Sequence, residues 1–586
     1  MAAAASVTVT PSSSPSTITF FSNSSQLSIP QRISTRRRFK LPRISCKSSP
    51  DQAGRREILI GLGGVYGASA LNPDPFAVAA PISAPDFATC SKSTISSGLS
   101  LNCCPPVASQ IIDFVPPPAD VPLRTRPAAH LATPEYIEKY KQALSLMKAL
   151  PDTDPRSFKQ QANIHCAYCD GGYDQVGFPD LELQVHNSWL FLPFHRWYLY
   201  FYEKILGSLI QDPSFAIPFW NWDSALGMPM PAMFVDPKSP LYDPIRSKVH
   251  QPPNLIDLDY NFTEGDVPKS QQVPHNYSIM YRQMVSNSKT PRLFFGNPYR
   301  AGEEVPGGGS LEGTPHGPVH IWVGDRTQPN LENMGNFYSA GRDPMFYCHH
   351  ANIDRMWTVW KKLRGEKTKD VPDQDFLETS FLFYNEKAEA VRVKVKDCIT
   401  TRSLGYVYQD VELPWLASKP TPRTRAVADI FRDRGNVARA EGKNKAVTPL
   451  SSFPIVLDKP VTTLVPRPKK SRSKKEKEDE EEVLVIKGIE VERDQAVKFD
   501  VYVNENESSY GGPEDTEFAG SFVNVPHSSK HSKKKKAMKT KLKLGLTDIL
   551  DELGIDDDDS VLVTLVPRYN AAKVKIDTIK ISLAKD

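Results

Sequence analysis

The chain has 586 residues, 40% of them hydrophobic and 24% charged, so it is long enough for two to four domains with sizeable buried cores. Its 72 basic and 68 acidic residues nearly balance, at a net charge of +4, which gives no global electrostatic case for binding nucleic acid. The function must therefore be sought in local sites.

The first eighty residues have the composition of two targeting signals in series. Residues 1–50 lack Asp and Glu, are rich in Ser and Thr, and carry RRRFK, which is typical of a chloroplast transit peptide. A twin arginine, Arg55 and Arg56, then precedes a short apolar segment and PFAVAAP, as in a Tat-type signal cleaved near Ala80. We expect the plastid and thylakoid Tat import machinery to deliver the protein to the thylakoid lumen.

The apolar segment is shorter than the ~20 residues that span a bilayer, and no other stretch qualifies, so we expect no stable membrane insertion. Five of the eight cysteines fall between residues 90 and 169. Such clustering favours disulfides, which a lumen permits.

Residues 81–417 are predicted to form a mainly α-helical domain, because helical patterns such as PEYIEKYKQALSLMKAL and HRWYLYFYEKILGSLI alternate with long Pro-rich loops. Residues 418–450 are polar and basic, and are interpreted as a linker with sites for an activating protease. In residues 451–586, segments such as VLVIKGIEVE and AVKFDVYVN alternate apolar and polar residues, which predicts a small C-terminal β-sandwich. Two charge runs there, KKSRSKKEKEDEEE and KHSKKKKAMKTK, lack interleaved aromatics and are interpreted as solvated loops.

Seven of the 12 histidines fall in three tight places of the helical region. His316 and His320 are spaced i,i+4, so on a helix both imidazoles would project from one face toward one ion. Pro193 should begin a new helix, which would leave His186 in a loop and His195 in the first helical turn. Histidines without an obvious carboxylate ligand disfavour a carboxylate-bridged di-iron site and suit copper.

Four motifs, HCAYC, HNSWLFLPFHRWYLYFYE, HGPVHIWVGD and DPMFYCHHANIDRMW, closely resemble those of plant polyphenol oxidases, the catechol oxidases and tyrosinases with a type 3 copper site. The resemblance extends from the double signal through LPWL to KFDV in the C-terminal region. It implies a four-helix core around two copper ions. One copper would be held by His165, His186 and His195, and the other by His316, His320 and His350.

The same resemblance implies a thioether between Cys169 and His186, and disulfides that join Cys90 with Cys104 and Cys103 with Cys166. Cys348 and Cys398 are expected to be free buried thiols. His349 either lines the pocket or is an ordinary core residue. Asp354, one turn after His350, is a candidate acceptor of a hydrogen bond behind the ligands.

The resemblance further implies oxidation of o-diphenols to o-quinones with reduction of O2 to water, by a precursor that its C-terminal domain keeps latent. Phe337 matches an aromatic gate above one copper, and Glu312 matches a glutamate that orders a water molecule. Relatives that hydroxylate monophenols efficiently commonly have Asn where this chain has Gly317, so we expect weak monophenol hydroxylation. The alternatives left open are a tyrosinase, a specialised phenol-tailoring oxidase, an oxygen-binding protein, which plastid targeting disfavours, and a dinuclear hydrolase.

Overall fold

The computed structural model describes residues 80–95, 98–263, 267–365, 370–423, 447–505, 510–530 and 537–585. The two predicted targeting signals, and most of the predicted linker, lie outside the described residues. The described residues all belong to one compact unit, Val78–Asp586. None of the helices within them is long and apolar enough to cross a membrane.

The first part of this unit, up to residue 423, is mainly helical. The helix that begins at Pro134 has a clear start signal. Thr133 directly precedes this proline, and its side chain accepts a hydrogen bond from the Tyr136 backbone N–H. The helices are α1 (Pro134–Ala149), α2 (Phe158–Cys169), α3 (Phe191–Leu209), α4 (Lys269–Met284), α5 (Pro291–Phe294), α6 (Gly317–Val323), α7 (Phe337–Ala340), α8 (Met345–Arg364) and α9 (Gln374–Glu378).

Helices α3 and α8 are central, because nearly every residue of their first three turns is buried. Helix α3 begins at Phe191, two residues before Pro193, because a proline in the first turn displaces no helical hydrogen bond. His195 is therefore the fifth helical residue, slightly later than the sequence pattern predicts. Helix α8 ends with basic residues in its last turn and with Gly365 at a positive φ of 67°, which favour termination.

Short strands hold the loops of the helical part together. Tyr406–Tyr408 pairs in parallel with Arg124–Arg126, and Ala390–Lys394 pairs with strands on both sides. The strands are β1 (Ser93–Thr94), β2 (Ser100–Leu101), β3 (Ile111–Asp113), β4 (Arg124–Arg126), β5 (Asp174–Gln175), β6 (Phe178–Glu182), β7 (Ser380–Tyr384), β8 (Ala390–Lys394) and β9 (Tyr406–Tyr408).

The second part, from residue 447, consists of two antiparallel sheets around a second hydrophobic core. The strands are β10 (Ile455–Val456), β11 (Val461–Pro466), β12 (Glu481–Glu492), β13 (Val497–Val503), β14 (Phe518–Asn524), β15 (Ala537–Gly545), β16 (Ser560–Tyr569), β17 (Lys575–Ile576) and β18 (Thr578–Ala584), and two short helices are α10 (Lys474–Asp479) and α11 (Thr547–Glu552). One sheet has the order β10-β17-β12-β15, with β18 also paired to β12, and the other has the order β11-β16-β13-β14.

The interpretation of the two charge runs as loops was wrong in part. The first run forms α10, where Ser473 and Glu476 make a capping box. The run then continues into β12, where the Glu482 side chain is buried. The Arg467 guanidinium compensates its charge by contacting the two carboxylate oxygens at 2.8 and 3.0 Å. The end of the second run, from Ala537, belongs to β15.

The two parts pack directly against each other. Phe518 and Val525 of the second part belong to the main hydrophobic cluster of the helical part. Polar contacts surround this apolar area: the Arg282 guanidinium donates to the Pro513 carbonyl at 3.0 Å, and the Lys498 ammonium lies 2.9 Å from the Asp259 carboxylate.

Candidate metal centre

Three buried histidines from different elements converge beneath the second part. His165 lies on α2, His195 lies on α3, and His186 lies in the loop before α3. One nitrogen from each ring lies within 4.8 Å of the others, which is close enough for the three to hold one metal ion.

Hydrogen bonds fix how each of these rings is protonated. The Nδ1–H of His165 donates to the Phe337 carbonyl at 2.7 Å, and that of His195 donates to the Phe191 carbonyl at 2.8 Å. His186 Nδ1 lies 3.2 Å from the Gln184 amide oxygen. Since each Nδ1 keeps its proton, each Nε2 carries a free lone pair, and none of the three Nε2 atoms has a partner among the described residues.

The second group contains His316, His320, His349 and His350. His316 ends a wide turn, Glu312–His316, in which Thr314 is extended, and α6 begins at the next residue. The rings of His316 and His320 lie one turn apart, with centroids 4.5 Å from each other. Their Nδ1–H groups donate to the Glu312 carbonyl at 3.0 Å and to the Met334 carbonyl at 2.7 Å.

His350 faces both groups from α8. Its Nε2 lies 3.1 Å from the Nε2 of His320, a distance that requires either a shared proton or a cation between the two nitrogens. Its ring stacks on that of His195, with centroids 4.2 Å apart and a 12° angle between the planes. The two histidine groups are therefore adjacent. The six predicted ligands lie together in one buried site.

The imidazoles of this site are held neutral. Burial, opposed by the bond to the Phe191 carbonyl, lowers the pKa of His195 to about 3, and burial lowers that of His320 to about 4. Neutral imidazole is the form that binds metal ions. With free lone pairs and no carboxylate among the six residues, the donor set fits copper.

A buried ion-pair network lies behind the ligands. The Arg196 guanidinium contacts the Asp354 carboxylate at 2.5 Å, and the hydroxyls of Tyr406 and Tyr408 donate to the same carboxylate at 2.6 and 2.5 Å. Asp354 thus accepts hydrogen bonds behind the ligands, as the sequence predicts, and its donors come from other elements. It joins α8 to α3, because Arg196 follows His195 directly.

The predicted covalent partners are placed as follows. The Gln184 amide donates to the Cys169 carbonyl at 2.8 Å and accepts from the His186 backbone at 3.0 Å, so it brings these two residues to the same place. Cys169 is a buried free thiol in the structure. Disulfides join Cys90 with Cys104 and Cys103 with Cys166, the residue after His165, and the remaining described cysteines, Cys348 and Cys398, are buried free thiols.

Glu312 lies beside the mouth of the site. One carboxylate oxygen accepts from the Asn187 backbone at 2.5 Å, and the other has no partner among the described residues. Burial raises the pKa of Glu312 to about 8. A Cβ at Gly308 would lie 2.3 Å from this second oxygen, so a side chain there would displace the Glu312 carboxylate.

Phe337 covers the first histidine group. Its ring stacks on that of His186, with centroids 4.0 Å apart, and only 4% of the residue is exposed. A cavity of about 50 Å³ opens beside it, lined by His186, His316 and Gly317 and by residues 521–525 of β14 and its end.

Gly317 lies against the second part. A Cβ at this position would approach Val523 Cγ1 to 2.9 Å and Val525 Cγ2 to 3.6 Å. A larger side chain at residue 317 would therefore contact the strand-rich second part.

Comparison with protein families matches three consecutive models: the common central domain of tyrosinase over residues 155–363, the polyphenol oxidase middle domain over 370–421, and the chloroplastic polyphenol oxidase C-terminal domain over 453–583. The chain belongs to the plant polyphenol oxidase family. Its members are oxidoreductases, as the sequence resemblance implies.

Relatives support the family assignment over nearly the whole chain. The chloroplastic polyphenol oxidase of Malus domestica is 58% identical over 96% of both chains. The chloroplastic (+)-larreatricin hydroxylase of Larrea tridentata is 52% identical over 94% of this chain and 95% of its own. The structure of latent apple tyrosinase superposes with a TM-score of 0.76 at 62% identity, over 81% of this chain and all of that one.

Several residues of the polyphenol oxidase site give no signal in the sequence. Gln184 connects Cys169 with His186, and Trp222 donates its indole N–H to His349. Val523 and His527 reach the mouth from a separate part of the chain. A single sequence does not reveal such contacts, because they depend on how distant segments pack.

Proposed function

We propose that this polyphenol oxidase oxidises o-diphenols to o-quinones at two copper ions and is made as a latent precursor. In the balanced reaction two catechols lose four electrons and four protons, and one O2 becomes two water molecules. The observation that carries the proposal is the pair of adjacent buried histidine groups. In four of these residues, His165, His195, His316 and His320, a backbone carbonyl accepts from Nδ1–H, which leaves the Nε2 lone pair available for a metal ion.

In this proposal His165, His186 and His195 hold one copper, and His316, His320 and His350 hold the other. When bound, the two coppers bind O2 and accept the electrons of the diphenol. The four ligand-bearing helices α2, α3, α6 and α8 would form the core of the catalytic domain. A thioether from Cys169 would hold His186, the one ligand in a loop.

The protein's own residues position the substrate and exclude water. Phe337 covers His186, so an aromatic substrate would enter through the cavity beside this ring. Burial favours the protonated form of Glu312, which would order a water molecule beside His316. Gly317 offers no side chain to orient that water, which supports preference for diphenols over monophenols.

Latency follows from the packing of the second part on the mouth. The proposed domains are targeting signals over 1–80, a catalytic domain over 81–417, a linker over 418–450 cut by an activating protease, and a shielding domain over 451–586. Val523 and His527 would be the shield residues nearest the site.

Relatives are named chloroplastic, and we place this protein more specifically in the thylakoid lumen. Two disulfides support a compartment that is oxidising. Import by the plastid and Tat machineries is part of the same proposal. Its other partners are phenols and O2.

A second candidate is a specialised hydroxylase or phenol-tailoring oxidase. It is favoured by the relative named (+)-larreatricin hydroxylase, which is 52% identical and matches the same domains. Pocket residues that discriminate between phenols would have to lie around Gly317 and Phe337.

The deciding experiment measures metal content by mass spectrometry and then tests the activated protein on catechols, monophenols and larger plant phenols. Two coppers per chain and faster turnover of simple catechols support the first candidate. Turnover of one complex phenol far above all catechols supports the second. Zinc in place of copper, with hydrolysis of esters or amides, refutes both.

A further inference from the structure

The imidazole of His349, in the second histidine group, is bonded in the opposite sense to those of His316 and His320. The indole N–H of Trp222 lies 3.2 Å from His349 Nδ1. An indole nitrogen only donates, so His349 Nδ1 must accept. In a neutral imidazole that accepts at Nδ1, the proton is on Nε2.

His316 and His320 show the contrast. Each donates its Nδ1–H to a backbone carbonyl and keeps an Nε2 lone pair. His349 therefore offers an N–H where its neighbours offer lone pairs. An N–H is not a metal ligand, whereas it donates well to a negatively charged oxygen.

The ring of His349 lies in the same buried space, and one of its nitrogens is within 4.8 Å of a nitrogen of each of His316, His320 and His350. Its ring is fully buried, nearly parallel to that of His316 at 5.6 Å and edge-on to that of His320 at 5.2 Å. Its Nε2 has no partner among the described residues. A buried donor without an acceptor is costly, so an acceptor is expected to occupy this space in the working protein.

We infer that His349 is not a copper ligand but a hydrogen-bond donor to an anionic oxygen at the second copper, either hydroxide or the oxygen of an ionised phenol. Trp222 is the positioning residue, because its N–H selects the Nε2-protonated form of His349. This inference rests on the proposed function. It adds that His349 would favour a bound oxygen that carries negative charge over a neutral one.

The test uses the copper-loaded full-length chain and fluoride, a small anion that accepts hydrogen bonds. Fluoride affinity is read from the copper absorption bands, and copper content is measured separately. His349→Phe removes the donor and should retain two coppers while weakening fluoride binding about tenfold to a hundredfold, the usual effect of losing a hydrogen bond to a charge. His349→Gln, which retains an N–H donor, should restore most of the affinity.

Trp222→Phe tests the positioning role without altering His349. It should retain two coppers and weaken fluoride binding, because the two protonated forms of His349 then compete. The matched control is Trp220→Phe, since the Trp220 indole donates instead to the Gly227 and Pro229 carbonyls. That variant should bind fluoride like wild type.

Two results overturn the inference. One is a loss of copper in His349→Phe while the wild type holds two, which would make His349 a ligand. The other is unchanged fluoride affinity in both His349→Phe and Trp222→Phe. A wild-type chain without copper would instead overturn the proposed function itself, and this assignment with it.

Discussion

The imidazole of His527 lies over the ring of Phe337, with centroids 5.1 Å apart and a 22° angle between the planes. Phe337 in turn stacks on His186, and its backbone N–H donates to the Pro526 carbonyl at 3.1 Å. A residue of the strand-rich part is thus one ring away from a predicted metal ligand. Access to the site depends on whether this contact holds.

Acid should open the site through His527. Burial and the positive charge of Arg493 lower the pKa of His527 from 6.5 to about 4. The neighbouring charges are Arg493, paired with Glu182, and Lys530, paired with Asp174. Because the pKa is lowered in the closed state, the contribution of His527 to closure is complete above about pH 6.5 and is lost as pH falls through 4.

We therefore expect acid incubation to raise the activity of the full-length chain, measured afterwards at neutral pH. His527→Phe keeps an aromatic ring but has no titrating group, so its activation should shift to lower pH. An unchanged activation profile in this variant would show that other groups control opening.

Gly317→Asn should have two separable effects. In the full-length chain its side chain displaces Val523, so closure weakens and latent activity rises. In a chain that ends near residue 417 this clash is absent, and the ratio of monophenol to diphenol turnover should rise if water orientation is the deficit. Gly313→Asn is a matched control, because a Cβ at Gly313 has no neighbour within 4 Å. Equal turnover ratios in Gly317→Asn and wild type would mean that the shape of the pocket, and not the orientation of water, sets the preference for diphenols.

Cutting the linker should not by itself release the second part. The Thr421 backbone donates to the Glu514 carbonyl at 3.0 Å and accepts from the Thr516 backbone at 2.9 Å, and Lys419 pairs with Glu552 at 2.9 Å. The first residues of the linker are therefore already bound to the second part, in addition to the apolar contact that the two parts share. Protease cleavage within residues 424–446 should give two fragments that still co-elute on size exclusion at neutral pH, and the activity of the cut protein should rise only as the fragments separate.

The comparison for this prediction is a chain expressed without residues 418–586, which should be active from the start. Adding Arg282→Leu to the full-length chain removes a bond to the Pro513 carbonyl and should make the nicked fragments separate more easily. Immediate separation of wild-type fragments at neutral pH would contradict the prediction.

His320→Ala should abolish diphenol oxidation and reduce copper from two ions to about one per chain. The reason is that His320 supplies one of three nitrogens to the second group, and a single copper does not accept both electrons of a diphenol. His250→Ala provides a control, since His250 is also buried but stacks on Trp322 outside both groups. Retained oxidation in His320→Ala would refute the assignment of the second site.

Much of the helical and strand content was predictable, because local patterns decide it. PEYIEKYKQALSLMKAL corresponds to α1 almost residue for residue, and VLVIKGIEVE and AVKFDVYVN correspond to β12 and β13. The position of α10 was not predicted, since a run of charges resembles a loop unless its capping box is recognised. The true start of α3 differed for a similar reason, because a proline is tolerated anywhere in the first turn.

The site was predictable only where ligands have local spacing. His316 and His320 show their i,i+4 relationship in the sequence, whereas the tautomer of each ring depends on carbonyls that lie far away, such as that of Met334 for His320. The donors to Asp354 could not be read from its distance to His350, because Arg196 and Tyr406 come from other elements. The specific ligand set rests on family resemblance.

The ion pair between Arg196 and Asp354 restrains the distance between the two histidine groups. It connects the helix of His195 with that of His350, so the groups cannot separate without breaking a buried ion pair, a change that typically costs about 3–5 kcal/mol. The spacing of the two groups is thus a property of the folded chain. In the proposed dicopper function, this restraint would keep the reorganisation energy of electron transfer low, because the ligands would move little when the charge of the site changes.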